Sequence, residues 1–160
     1  MTRRWIPVAT AAAAAIVVAV LGASATDISP WYVGLQKSPL TPPDWAFGPA
    51  WTLIYALTAL SGVVAWHAAN RVVRRRMLVL FAVNALLNVA WSEFFFMLRR
   101  PDWALIEVVP FWLSILLLIV LLRPASGKAS WLLAPYLVWV AFAGWLNFEV
   151  VRLNGPFGQT

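Results

Sequence analysis

A chain of 160 residues that is 62% hydrophobic and 11% charged cannot cover its apolar surface with polar side chains, which excludes an ordinary water-soluble domain. Mean hydropathy is +0.80. The absence of cysteine removes disulfides and thiolate metal sites, and the net charge of +6 has to be read through topology before it says anything about partners.

Five stretches are long and apolar enough to cross a bilayer, at about 20 residues per span. They are residues 5–25, 47–67, 77–98, 103–122 and 131–151, and they predict a single all-α domain over 1–160, a five-helix membrane bundle. Runs such as residues 115–122 are apolar at every position, so the alternation of a β-barrel is missing.

The first stretch follows Arg3 and Arg4 and ends Ala23-Ser24-Ala25, the form of a cleavable secretory signal. Ala11, Ala15, Ala19 and Ala23 argue for a retained helix, because small residues every four positions let membrane helices approach closely.

Residues 27–46 follow, too long for a simple turn. Ser29-Pro30 reads as an N-cap and first helical position, starting a short helix through Trp31 and Leu35. Pro39, Pro42 and Pro43 then impose an extended path. With Trp31, Tyr32, Leu35, Trp45 and Phe47, this loop is too apolar to stand in water and is expected to fold onto the bundle.

The second span sets Trp51, Tyr55, Thr58 and Gly62 on one face. His67, the only histidine, ends it and reads as a boundary residue rather than a ligand. Arg74, Arg75 and Arg76 precede the third span and suit anionic lipid headgroups better than nucleic acid. That span aligns Asn84, Asn88, Trp91, Ser92 and Phe95; the fifth aligns Pro135, Trp139, Phe142, Ala143 and Leu146. Glu93, Glu107 and Glu149 read as interfacial partners of Arg99, Arg100 or Arg152.

Arg3, Arg4, Arg71, Arg74, Arg75, Arg76, Arg123 and Lys128 fall on one side of the bundle, eight in all. The four on the other side are Lys37, Arg99, Arg100 and Arg152. Positive-inside counting predicts a cytoplasmic N-terminus, with the first loop and the C-terminus outside. Trp51, Tyr55, Asn88, Trp91, Trp139, Phe142 and Ala143 then share the outer half and midplane, below the aromatic loop. An apolar hollow with a few convergent polar groups is the usual form of a small-molecule site.

Trp31-Tyr32, Lys37, Pro42-Pro43, Trp45 and Trp51 resemble the first-loop signature of the TspO/MBR family, the translocator or tryptophan-rich sensory proteins. Asn84, Asn88, Trp91-Ser92 and Phe95-Phe96 resemble its third helix; Pro135-Tyr136-Leu137, Trp139, Leu146-Asn147 and Leu153-Asn154 resemble its fifth. The resemblance implies a homodimer that binds porphyrin or haem in a cavity under the first loop and needs no cofactor. Carried over by position, Tyr32, Pro42, Trp51, Asn84, Asn88, Trp139 and Ala143 would line that cavity. Porphyrin sensing, transport or disposal is the implied role. Light-dependent degradation of protoporphyrin is an alternative, with Trp51 and Trp139 as the catalytic pair, and a sterol or lipid carrier is another. Two departures bear on ligand range. Lys37 is followed by Ser38-Pro39-Leu40 rather than directly by proline, and Phe148 stands where the family's sterol motif has tyrosine.

Overall fold

The computed structural model describes residues 5–158; Arg3 and Arg4 of the charge count lie outside them. The elements are α1 (Ile6–Ala25), α2 (Pro30–Gly34), α3 (Asp44–Ala68), α4 (Arg71–Ser92) running into a π-helical turn (Glu93–Met97), α5 (Pro101–Leu122), α6 (Gly127–Leu132) and α7 (Ala134–Asn154). Five helical segments are long and apolar enough to cross a membrane, and the protein is an integral multi-pass bundle.

Local chemistry sets the helix ends. Ser29 stands at the predicted cap position before Pro30 of α2 but its hydroxyl makes no capping bond, and Asp44 places a negative charge in the first turn of α3. Asn70 caps α4 by accepting from the Val73 N–H at 3.0 Å, so the helix starts at Arg71, six residues before the predicted span, and the arginines ride on its first turns. The predicted fifth span is in fact two helices. Pro135 cannot donate to the carbonyl of Trp131, and the chain turns at Leu133 before α7 resumes. The π-helical turn carries no recognisable sequence mark.

Around the bundle, α1 packs on α3, α3 on α6 and α7, α7 on α5, α5 on α4, and α4 back on α1. The core forms three layers. Tyr32, Phe95, Ala104 and Val150 occupy the loop end; Ile54, Phe111, Ile115, Tyr136 and Val140 the middle; Ala65, Met77, Leu118, Leu122 and Leu133 the far end. Gly144 brings α7 close to α5: a Cβ there would stand 3.3 Å from the Val108 side chain. A buried bond from Ser61 Oγ to the Ala129 carbonyl, 2.7 Å, fastens α3 to α6. α1 lies at the edge of the bundle against α3 and α4, with only Gly22 and Ala25 buried.

Candidate functional site

The first loop folds down onto the bundle end. Tyr32 on α2 is buried, and its hydroxyl donates to Asp44 Oδ1 at 3.4 Å. Burial, reinforced by the negative Asp44, pushes the Tyr32 phenol up to about 12. Lys37 Nζ sits 3.8 Å from the centre of the Tyr32 ring, a cation–π contact at the rim. Farther along, the Gln36 N–H donates to Asn154 Oδ1 and Asn154 Nδ2 donates to the Gln36 carbonyl, both at 2.8 Å. The loop is therefore fastened to the last residue of α7.

Beneath it lies a cavity of about 110 Å³. Trp51 and Phe47 of α3 pack edge-to-face on Trp139 of α7 in its wall, with ring centres 6.5 Å and 5.9 Å from the Trp139 ring. Trp91, Phe95 and Phe96 line it from α4 and the π-helical turn. That turn explains how adjacent Phe95 and Phe96 reach one space. Its i→i+5 bond, Leu98 N–H to Glu93 O at 2.9 Å, widens the helix and changes the facing of residues after Ser92. Tyr32, Lys37 and Thr41 roof the cavity, while Ala143 and Asn147 close its α7 wall. The Nε1 atoms of Trp91 and Trp139 are buried with no partner. Two donors thus stand unused within the walls.

Five of the ten predicted site residues line this cavity: Tyr32, Trp51, Trp91, Trp139 and Ala143. Pro42 does not, and Phe142 belongs to a surface groove with Trp131 and Val138 on the outer side of α7. Tyr55 stacks on Trp51, ring centres 5.5 Å apart, and forms part of the layer below.

Asn84 and Asn88 are spent in that layer. Tyr55 Oη donates to Asn88 Oδ1 at 3.0 Å, and Asn88 Nδ2 donates to Tyr136 Oη at 3.3 Å. Tyr136 Oη donates to Asn84 Oδ1 at 3.1 Å, and Asn84 Nδ2 donates to Ser114 Oγ at 2.9 Å. Ser114 Oγ ends the chain on the Phe111 carbonyl at 2.7 Å. One hydrogen-bonded string thus crosses α3, α4, α7 and α5 inside the membrane, where unpartnered polar groups are costly. Sequence reasoning missed Tyr136 as its hub, although Tyr136, Trp139 and Val140 share a helix face and all pack in the middle layer.

The acidic residues divide. Glu149 pairs with Arg152 at 2.8 Å, but Arg100 pairs with Asp102, and Arg99 lies over the Trp31 ring at 5.8 Å. Glu107 departs from the expected pairing: it is buried and neither carboxyl oxygen has a partner. It sits on the α5 face that packs into the core with Ala104 and Phe111, out of reach of the interfacial arginines. His67 is exposed in the last turn of α3, and no cluster of metal-ligating side chains exists among the described residues.

The model of the TspO/MBR family matches residues 8–153. The tryptophan-rich protein TspO of Chlorobaculum tepidum is 39% identical over 126 residues, covering 78% of this chain and 79% of the relative. That of Archaeoglobus fulgidus is 39% identical over 133 residues, covering 82% and 84%. The translocator protein of Homo sapiens is 33% identical over 126 residues, covering 78% and 75%.

Proposed function

We propose that this chain, which belongs to the TspO/MBR family, binds tetrapyrroles under its first loop and serves porphyrin sensing, trafficking or disposal. One observation carries the reading: Trp51, Trp139, Phe47 and Trp91 from three membrane helices meet in one space with a lysine at its rim. Flat macrocycles suit such walls, each ring contact contributing about 0.5–1.5 kcal/mol beyond the area it buries.

Size adds a condition. A cavity of about 110 Å³ is smaller than the roughly 150 Å³ that holds benzene and far below the roughly 300 Å³ typical of ligand pockets. A macrocycle requires the segment around Gln36 and Lys37 to lift. Lys37 then exchanges the Tyr32 ring for a propionate. We infer the orientation from charge: the loop side holds the fewer basic residues, so it faces away from the cytoplasm.

Protoporphyrin IX titrated into the purified protein should quench tryptophan fluorescence. Trp51→Phe and Trp139→Phe should each reduce that quenching and weaken binding about threefold, the loss of part of one ring contact. Unchanged affinity and quenching in both variants would remove the site. Lys37→Gln should weaken protoporphyrin IX several-fold and leave a porphyrin without carboxylates unaffected; an equal loss for both ligands would rule out the propionate contact.

A further inference from the structure

The end of the bundle opposite the first loop carries cations and no acid. Asp27 and Asp44 belong to the first loop and the start of α3, and Glu93, Asp102, Glu107 and Glu149 to the loop-side parts of their helices, which accounts for all 6 acidic residues. Arg71, Arg74, Arg75, Arg76, Arg123 and Lys128 gather at the far end. The ion pairs among the described residues, Arg100 with Asp102 and Arg152 with Glu149, both lie on the loop side.

The arginine run divides there. Arg74 turns to α3, where its Nε donates to the Trp66 carbonyl at 2.8 Å and its guanidinium lies 5.0 Å from the centre of the Trp66 ring. Arg71, Arg75 and Arg76 go the other way and line an open groove between α4 and α5. Positions 72, 75, 76 and 79 share one face of α4, so the guanidinium groups stand beside Val72 and Val79, and Leu121 of α5 forms the opposite bank. From Arg71 to Leu80 the groove follows about 14 Å of α4, at 1.5 Å per residue. It is cationic where the helix emerges and apolar toward the midplane.

That polarity selects an occupant. Arg71 and Arg75, one turn apart, repel each other, and no acidic side chain among the described residues offsets the repulsion. A fatty chain alone would leave the three cations uncompensated. A zwitterionic headgroup would bring a further cation to a surface with no acid to receive it. Because the groove continues from the arginines into the hydrocarbon layer, charge and chain belong on one molecule. We propose that this groove binds one anionic phospholipid, its phosphate among Arg71, Arg75 and Arg76 and one acyl chain along Val79, Leu80 and Leu121. The planar guanidinium fork suits phosphate oxygens. A basic surface attracts anionic lipid in a diffuse way as well, by charge count alone. The site differs in requiring the groove, and Lys128, equally cationic and at the same end, lies outside it. The proposal does not rest on tetrapyrrole binding.

Native mass spectrometry of the full chain, solubilised in dodecyl maltoside and titrated with phosphatidylglycerol, tests it. Binding should saturate first at a single phosphatidylglycerol per chain, and phosphatidylcholine should not displace it. Arg71→Gln and Arg75→Gln should each weaken that lipid about fivefold, while Lys128→Gln leaves it unchanged. All three positions are exposed, and circular dichroism equal to the parent's identifies the variants that fold; either arginine variant suffices. Equal weakening by Lys128→Gln would reduce the effect to diffuse attraction and overturn the site. Competition by phosphatidylcholine on equal terms would do the same, as would unaltered binding in the arginine variants. Displacement by glycerophosphoglycerol, the headgroup without its chains, would show that the arginines take phosphate from water and would overturn the lipid as occupant.

Discussion

Protoporphyrin IX should associate about tenfold faster with the Asn154→Ala protein than with the parent. The loop over the aromatic cavity is held by the reciprocal pair between Gln36 and Asn154, two bonds of 2.8 Å in a solvent-facing position. Each contributes about 0.5–1.5 kcal/mol, so removing both shifts the closed–open balance by about 1–3 kcal/mol, or about five- to 150-fold. The cavity walls are untouched, so the gain falls on the association rate. Asn154→Asp keeps one acceptor and should fall between the two. Stopped-flow quenching measures all three; equal rates would mean that this contact does not limit access.

The other large effect is on stability. Asn88→Leu should destabilise the bundle by about 2 kcal/mol. The substitution keeps the side-chain volume but deprives Tyr55 of its acceptor and Tyr136 of a donor. Membrane hydrogen bonds average only about 0.6 kcal/mol in double-mutant cycles, yet a buried hydroxyl left alone costs about 1–3 kcal/mol. Tyr55 bears most of the loss, since Tyr136 retains its bond to Asn84. Tyr55→Phe placed on Asn88→Leu should therefore recover about half of it. Unfolding in sodium dodecyl sulfate mixtures reads both numbers. A loss below about 0.5 kcal/mol would show the string to be incidental to stability.

Much of this architecture is visible in the amino-acid order because hydrocarbon allows so few solutions. Apolar runs of span length must be helices, and Ser29-Pro30 with three later prolines dictates a short helix and an extended strap. What escaped are features decided by contacts between distant segments. Periodicity puts Asn84 and Asn88 on one face of α4, but only the packing of α5 and α7 shows that Ser114 and Tyr136 consume their amides. The joint at Leu133 was masked because Pro135 lies within an unbroken apolar run. The π-helical turn depends on how Phe95 and Phe96 pack against Trp91 and Tyr32, which no local pattern encodes. Asn154 meets Gln36 across 118 positions, beyond any spacing argument.

Because the strap is tied to the final turn of α7, modifications at opposite ends of the polypeptide are not equivalent. A purification handle or fluorescent reporter fused just beyond Asn154 would tug on the knot at Gln36 and report a binding protein that is already half unfastened. The same handle ahead of α1, a helix with only two buried residues, leaves that knot alone.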